Sequence, residues 1–342
     1  MKKAAIFMAL LAACTAQAEG LHYGWGSLES LEKAAREGKP AAQADLGQYY
    51  LLAEEYGQAL PWLQKAAKRG DAEGLYGLGF CYETGYCGED KDMKKAAKYY
   101  KKAARKNSPG GLYRTALFLH DGTAMKADPK KALEYMRRAA EKGNMDARLF
   151  LASAYFEGNT DGIKQDYKEA AKYWKMLAEA DDARACFNLG YLYYYGYGVP
   201  QDYRRAFEWD LRAAQLGLPE GQYQTGMAYL RGEGVAVDGV KGLQWVEKAA
   251  GQGYAPAAEL METADYYVYI GPDAGEESPG RAGSVIDLKK RAEAGEASAQ
   301  FLYASLCKNV LRKQGDPCDA EFWYRKAAAQ GLEAAKAELK EP

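Results

Sequence analysis

Residues 182–217 read DARACFNLGYLYYYGYGVPQDYRRAFEWDLRAAQLG, and residues 219–253 read PEGQYQTGMAYLRGEGVAVDGVKGLQWVEKAAGQG. A shift of 36 positions (238 − 202) brings Asp202 onto Asp238. The two stretches then agree in a Gly-x-Gly-Val turn, an aspartate, a tryptophan and an Ala-Ala-x-x-Gly ending. A single helical pair cannot bury the apolar face that these residues form, whereas neighbouring pairs that stack on it bury that face in a continuous core. The sequence therefore predicts a tandem helical repeat.

Each unit has the pattern of two helices joined by the glycine turn. In the first helix, small and large apolar residues recur every three to four positions, which is the helical period. Gly190 and Gly226 interrupt that helix at a cost of roughly 1 kcal/mol each, so their recurrence predicts a close approach of the second helix. The turn glycines favour the left-handed conformation that ends a helix. Asp202 and Asp238 stand where the second helix needs an N-cap.

The same pattern runs through most of the chain. A glycine, or an asparagine or aspartate in its place, marks the end of each unit, so eight helical pairs are predicted between about residues 39 and 331. The predicted organisation is a signal peptide (1–18), a linker and capping helix (19–38), six repeats (39–253), a degenerate repeat (254–295) with an inserted loop (271–284), and a last repeat with a C-terminal helix (296–342).

The Leu-Gly-x-x-Tyr, Gly-x-Gly-Val, Asp, Trp and Ala-Ala-x-x-Gly elements resemble the Sel-one-like repeat (SLR) family, a branch of the tetratricopeptide-like helical repeats. The match covers nearly all of the chain after the leader and is strongest at 182–253. The resemblance implies an all-α fold, a right-handed superhelical solenoid of stacked helix-turn-helix repeats. It also implies that the first helices of the pairs line a concave face.

An aromatic ladder on these first helices is the candidate binding site. Exposed tyrosine combines a rigid apolar ring with a polar tip, which suits recognition of a partner. The alternative is that part of the ladder belongs to the core between repeats. The predicted groove residues are Tyr76, Phe80, Tyr113, Phe187, Tyr191, Tyr194, Tyr223 and Met227.

The first residues of the chain resemble an export signal. Two lysines precede an apolar run (4–13) that is too short to span a bilayer. Ala16-Gln17-Ala18 is a cleavage motif, whereas Leu11-Ala12-Ala13-Cys14 resembles a lipoprotein box that would lipidate Cys14. We expect an exported, periplasmic protein. The alternatives are a lipoprotein of the outer membrane and a secreted protein, and only a lipid on Cys14 would contact a membrane.

Four cysteines lie near the turns of two repeats. Cys81 lies at the end of a first helix and Cys87 in the turn that follows it. Cys307 and Cys318 hold comparable places in the last repeat. Disulfides persist in oxidising compartments, and some exported members of the family carry them within a repeat. The resemblance therefore favours the pairs Cys81–Cys87 and Cys307–Cys318. Cys186 is left over and is expected to be a packed thiol. No metal site is predicted, because no His or Cys set completes one.

Charge and motifs restrict the function classes. The 46 basic and 47 acidic residues balance, which argues against a general nucleic-acid binder. The basic strip 91–106 is either a docking strip for an acidic partner, phosphate or lipid headgroups, or the solvated side of a helix. The pair Ser30 and Lys33 matches the Ser-x-x-Lys of penicillin-recognising enzymes without their other motifs. Only His22 and His120 could serve a catalytic triad.

We therefore predict a non-enzymatic repeat protein without a cofactor. It is expected to bind a protein or peptide partner through its concave surface, as an adaptor of the cell envelope. One alternative is a β-lactamase-like, penicillin-binding or peptidoglycan-linked enzyme, because some relatives with stapled repeats have been described in those terms. Another is a secreted or surface factor that binds a host protein. The fold does not separate these alternatives, because function depends on the site and not on the scaffold.

Overall fold

The computed structural model describes residues 24–158, 162–262, 285–308 and 318–339. The predicted leader with Cys14, the residue His22 and the insertion 271–284 lie outside the described residues. Within the described ranges, the chain forms helices and no β-strand.

Most of the helices have the length expected of one element of a repeat. They are α1 (Leu28–Arg36), α2 (Pro40–Leu52), α3 (Tyr56–Lys68), α4 (Ala72–Thr84), α5 (Met93–Arg105), α6 (Pro109–Asp121), α7 (Pro129–Glu141), α8 (Met145–Glu157), α9 (Tyr167–Ala178), α10 (Ala183–Tyr195), α11 (Tyr203–Gln215), α12 (Pro219–Arg231), α13 (Gly239–Gly251), α14 (Ala255–Glu262), α15 (Val285–Glu293), α16 (Ala297–Leu306), α17 (Ala320–Ala329) and α18 (Glu333–Glu338).

The chain divides into two compact units, one ending at Ser153 and the other continuing from Ala154. In the first unit, α2 packs on α3, α4 on α5 and α6 on α7, and the α4–α5 pair also packs on the pairs before and after it. In the second unit, α10 packs on α11, α12 on α13 and α16 on α17. The predicted all-α class, with stacked helical pairs, is confirmed.

The helix ends follow the predicted chemistry. The side chains of Asp92, Asp202 and Asp238 accept hydrogen bonds from backbone N–H groups in the first turn of the second helix. Such bonds satisfy donors that a helix N-terminus leaves unpaired. The first helices of the second, third, fifth and sixth helical pairs end at glycines in the left-handed conformation, for example Gly85 with φ 77° and Gly196 with φ 72°. Both sequence predictions are confirmed.

At one glycine position of the first helix, a side chain of the second helix of the same repeat packs against the backbone. A Cβ at Gly79 would lie 2.5 Å from the Tyr100 ring, and a Cβ at Gly226 would lie 2.6 Å from Val246 Cγ2. A Cβ at Gly190 would collide with the Asp210 carboxylate. The predicted close approach is confirmed. Each of these three repeats therefore places one residue of its second helix against a backbone without a side chain, deep between the helices.

Candidate binding surfaces

The first unit contains a groove of about 520 Å³, which we call the N-terminal groove. Residues of α2, α4, α6 and α8 supply most of its lining. Three predicted binding residues, Tyr76, Phe80 and Tyr113, meet in it. The lining consists of Gln48, Leu51, Leu52, Tyr56, Tyr76, Phe80, Glu83, Thr84, Tyr86, Lys91, Met93, Tyr100, Tyr113, Arg114, Asn144 and Asp146.

An acidic group with two partners lies in this groove. The Tyr100 hydroxyl donates to the Glu83 carboxylate at 2.6 Å, and the Arg114 guanidinium forms an ion pair with the same carboxylate. Glu83 and Arg114 side chains are 17% and 28% exposed. A largely buried carboxylate is costly unless a cation and hydrogen bonds compensate it. This arrangement supplies both, and Arg114 comes from the following helical pair.

The aromatic residues of the groove are held in place by their neighbours. The Tyr76 ring lies against Gly110, where a Cβ would come within 2.7 Å of the ring. Burial, with a contribution from the nearby Asp146, raises the pKa of Tyr113 to about 12. Burial also raises the pKa of Asp146, although Arg114 opposes that shift. Tyr113 therefore keeps its proton at neutral pH and presents a hydroxyl donor beside an apolar ring.

The second unit contains a smaller pocket of about 170 Å³, which we call the C-terminal pocket. Two of the predicted residues on α10, Tyr191 and Tyr194, line it together with the predicted Phe187. At its inner end, Asp210 of α11 is only 8% exposed. The full lining is Phe187, Tyr191, Tyr194, Tyr195, Asp210, Gln224 and Arg231.

Exposed tyrosines line the C-terminal pocket or contact the tyrosines that line it. Tyr191 and Tyr195 are 38% and 50% exposed, and their ring centroids lie 4.6 Å apart. Tyr195 also stacks on Tyr197 at 5.6 Å, and Tyr194 meets Tyr203 edge-on at 5.1 Å. Clusters of partly exposed aromatic rings are typical of surfaces that bind partners. The described part of the second unit thus carries a contiguous aromatic patch.

Two predicted groove residues do not belong to these surfaces. Met227 is 5% exposed and lies in the apolar core with Val246 and Leu243, so its placement in a groove is corrected. Tyr223 is partly buried against the same core, with its ring 5.5 Å from that of Tyr254. Both side chains face the packing between neighbouring helices, which is the alternative left open by the sequence.

Asp210 and Tyr195 were not among the binding residues predicted from the sequence. A signal for Asp210 was nevertheless present in the repeat pattern, because it is the acidic residue in a column of large apolar and aromatic side chains. That column consists of Leu63, Tyr100, Met136, Trp174, Asp210 and Val246.

A model of the Sel1 repeat matches residues 40–71, 72–108, 109–144, 146–182, 183–218, 219–254 and 297–332. The chain belongs to the Sel1 repeat family. These stretches leave out residues 255–296, which contain all but the first residue of the segment predicted to be a degenerate repeat (254–295). When the seven Sel1 repeats are numbered in chain order, 72–108 is the second repeat and 183–218 is the fifth.

Solved structures with this repeat resemble the chain. One is a protective antigen of uropathogenic Escherichia coli strains that displays an SLR fold; it is 28% identical, and the match covers 92% of this chain and 81% of that one at a TM-score of 0.52. Another is a Sel1 repeat protein from Oxalobacter formigenes, which is 32% identical over 64% of this chain and 88% of that one, at a TM-score of 0.50. Both agree with a helical solenoid.

Curated relatives include two proteins of Schizosaccharomyces pombe. Chitin synthase regulatory factor 3 is 28% identical over 92% of this chain and 34% of its own length. Chitin synthase regulatory factor 2 is 34% identical over 37% of this chain and 25% of its own length. The chain therefore spans about a third or less of the length of these relatives.

The cysteines of the second and seventh Sel1 repeats are brought together as predicted. Cys81 and Cys87 lie at disulfide-bonding distance with their Cα atoms 5.2 Å apart. Cys307 and Cys318 do the same with Cα atoms 5.4 Å apart. Cys186 is buried and has no disulfide partner within the described residues, and burial raises the pKa of its thiol to about 11. A thiol with so high a pKa is a poor nucleophile at neutral pH.

The remaining candidate residues have structural surroundings. The Ser30 hydroxyl lies 3.0 Å from that of Ser27, whose side chain caps α1. His120 Nδ1 contacts Asp121 at 2.5 Å. The basic side chains of α5 are exposed, so the two interpretations of the strip 91–106 both stay open.

Metal ligands and membrane spans are two further classes of feature. Among the described residues, no group of three or more His, Cys, Asp and Glu side chains is positioned to hold a metal ion. In the same ranges, no helix combines the length and apolar character needed to cross a membrane.

Proposed function

We propose that this Sel1 repeat protein is a non-enzymatic binding protein that holds a polypeptide segment against the first helices of its repeats. The N-terminal groove carries the proposal. It brings Tyr76, Phe80 and Tyr113 around a compensated ion pair, so it offers apolar rings, a hydroxyl donor and charged groups within one concave space. Such a mixture is typical of sites that bind ligands or peptides.

The groove also fits an extended segment better than a small substrate. Its lining comes from several successive helices, and no described cluster of nucleophile, base and orienting acid lies in it. Ser30, the one nucleophile that the sequence raised, lies in α1 beside the N-cap Ser27. The family to which the chain belongs is a repeat family, which supports a binding role over a catalytic one.

The proposed place of action is outside the cytoplasm, in the periplasm or on the cell surface. The leader-like residues 1–18 support export. The two cysteine pairs at bonding distance also support it, because disulfides persist in oxidising compartments. Cell fractionation and N-terminal sequencing of the purified chain would test this part. A cytoplasmic chain with an intact leader would overturn it.

Site-directed photo-crosslinking would test the binding role. A benzophenone amino acid replaces Tyr86, an exposed residue of the N-terminal groove, or Phe322, a comparably exposed residue of the seventh repeat. We expect polypeptide adducts from position 86 and few from position 322. The position-86 adducts should disappear when Tyr76→Ala and Tyr113→Ala are added. Equal labelling at both positions, or adducts that persist in the double variant, would contradict the groove as the binding site.

A further inference from the structure

Asp210 stands where other repeats place a large apolar or aromatic side chain. It follows its N-cap Asp202 by eight residues (210 − 202), as Tyr100 follows Asp92 and Val246 follows Asp238. A glycine of the first helix faces this position in each of the three repeats. Repeat packing therefore calls for an apolar residue here, and the acid needs another explanation.

The second Sel1 repeat shows what a compensated acid looks like at this place. There the acid is Glu83 of the first helix, the column residue is Tyr100, and the cation is Arg114 from the next repeat. The corresponding residues around the C-terminal pocket are Tyr194, Asp210 and Gln224. In the fifth repeat the acid, Asp210, is on the second helix instead of the first, and the position of the arginine is occupied by the neutral amide of Gln224. The fifth repeat thus keeps the acid and lacks the cation.

Among the described residues, Asp210 has no partner that compensates its burial. Its Oδ1 atom is enclosed and forms no hydrogen bond. Burial raises the pKa of Asp210 well above its usual range, and no neighbouring charge contributes to that shift. Arg231 lines the same pocket from the exposed end of α12 without neutralising Asp210. A carboxyl group in this state gains strongly from a cation that enters the pocket.

We infer that the C-terminal pocket receives a lysine side chain of a partner polypeptide, whose ammonium group pairs with Asp210. Oδ1 faces Gly190 and is enclosed, which leaves Oδ2 as the oxygen that an entering group can reach. Arginine binds carboxylates best through two parallel hydrogen bonds, whereas an ammonium group pairs with a single oxygen. The geometry therefore favours lysine.

The walls of the pocket suit the rest of a lysine side chain. Tyr191, Tyr194 and Tyr195 line the pocket together with the Asp210 carboxyl group, and the Tyr195 ring contacts the rings of both other tyrosines. Aromatic faces attract cations and also pack against the methylene stem of lysine. The volume of about 170 Å³ admits one side chain and excludes a folded segment. A lysine on an extended partner would enter while the partner backbone lies across the tyrosine patch.

This inference rests on the proposed binding function and names the group that it recognises in the second unit. The test uses the full chain and three small probes: Nα-acetyl-lysine N-methylamide, its Nε-acetylated form and the arginine analogue. Binding is measured by nuclear magnetic resonance, from the tyrosine ring resonances of the protein. We expect the lysine probe to bind at least tenfold more tightly than its acetylated form, and more tightly than the arginine probe.

Two variants remove the binding and one control preserves it. Asp210→Asn keeps the shape and removes the charge, and Gln224→Arg restores the cation that the second repeat has; each should weaken lysine binding at least tenfold. Glu208→Gln, at an exposed acid of the same helix, should leave it unchanged. Circular dichroism confirms that each variant is folded. Equal affinity for lysine and acetyl-lysine, preference for arginine, or unchanged binding in Asp210→Asn would overturn the inference. None of these results depends on the crosslinking at position 86, so the two proposals can fail separately.

Discussion

The second Sel1 repeat and the fifth follow one plan and treat a buried acid in opposite ways. In the second, the Glu83 carboxylate accepts a hydrogen bond from the Tyr100 hydroxyl and forms an ion pair with Arg114. In the fifth, Asp210 is enclosed without a hydrogen bond at Oδ1. The helices, caps and facing glycines are the same in both. The backbone of the repeat therefore fixes where a group sits, and two or three side chains decide whether it is satisfied or available.

The same two repeats also hold their turns differently. In the second, Cys81 at the end of α4 and Cys87 in the turn lie at bonding distance. In the fifth, the corresponding turn residue is Gly198, whose missing side chain allows the turn to lie on the backbone of Tyr167. One repeat can be closed covalently within itself, and the other is held by close contact with the preceding helix. Stability and binding can thus be perturbed separately in each.

Removing the cation that pairs with Glu83 in the second repeat should have the largest effect on the free energy of unfolding. Arg114→Met removes the cation and leaves the Glu83 carboxylate largely buried. When one partner of a buried ion pair is removed, the charge of the other stays buried without compensation. We therefore expect a loss of about 3 kcal/mol in the free energy of unfolding. Urea denaturation followed by circular dichroism measures it. Arg138→Met is the control, because its hydrogen bond to Asn107 is exposed; a similar loss in both would contradict the assignment.

Opening the turn of the second repeat should come next. The double variant Cys81→Ser and Cys87→Ser removes a crosslink between residues six positions apart. On the chain-entropy model, closing so short a loop contributes about 2 kcal/mol. We expect that loss under oxidising conditions and almost none after reduction of both proteins. Cys186→Ala provides a comparison that should be insensitive to reductant, because Cys186 forms no disulfide with any cysteine that the structure describes. An equal loss with and without reductant would show that the bond does not form.

The fold was predictable because its signals are local. Aspartates at the N-caps, glycines at the left-handed helix ends and glycines inside the first helices each follow from one or two neighbouring residues. The sequence also placed Tyr76, Phe80 and Tyr113 on one surface, because their spacing of about one helical turn and one repeat is regular. Repetition strengthens each of these signals.

The chemistry of the second unit was less predictable because it depends on residues far apart in the sequence. Asp210 stands out in its column, but its isolation also depends on Gln224 in the next repeat. Met227 and Tyr191 occupy equivalent positions, yet Met227 is buried and Tyr191 is 38% exposed. The core around Val246 covers Met227. Spacing gives the helical face of a residue, and only the tertiary structure shows what covers that face.

Replacing Asp210 by the residue type that other repeats use should stabilise the protein modestly. Asp210→Leu exchanges an unpaired buried acid for an apolar side chain like Leu63, and such exchanges stabilise by about 1 kcal/mol or more. Because burial raises the folded-state pKa, the proton on Asp210 stabilises the fold below the unfolded pKa of about 3.9, and this contribution is lost as pH rises through the folded pKa. The advantage of Asp210→Leu should therefore be smallest near that lower pH and grow toward neutrality.

Urea titrations of both proteins across this pH range measure that difference. The titratable and charged groups that share the pocket with Asp210 are Tyr191, Tyr194 and Tyr195 from α10 and Arg231 from α12. The raised pKa of Asp210 results from burial and not from the charge of any of these groups. A constant advantage at every pH would mean that Asp210 ionises normally, and the contrast with the satisfied Glu83 would then disappear.

Trimming the tyrosine patch should have the smallest effect on stability and should still weaken binding. Tyr195 is 50% exposed, so Tyr195→Leu should change the free energy of unfolding by less than about 0.5 kcal/mol. If Asp210 receives a lysine, loss of one ring from the pocket wall should weaken binding of the lysine probe by about twofold to fivefold, since an exposed cation–π contact contributes about 0.5–1 kcal/mol.

Tyr203→Leu is the matched control for this measurement. Tyr203 is 44% exposed in the same aromatic patch but does not line the C-terminal pocket. A decrease for Tyr195→Leu alone would locate the cation between the ring at the mouth and the acid at the inner end. An equal decrease for both variants would assign the affinity to the patch as a whole. If Asp210→Asn also left lysine binding unchanged, Asp210 would have no role in recognition, and the difference between the second and fifth repeats would be one of stability alone.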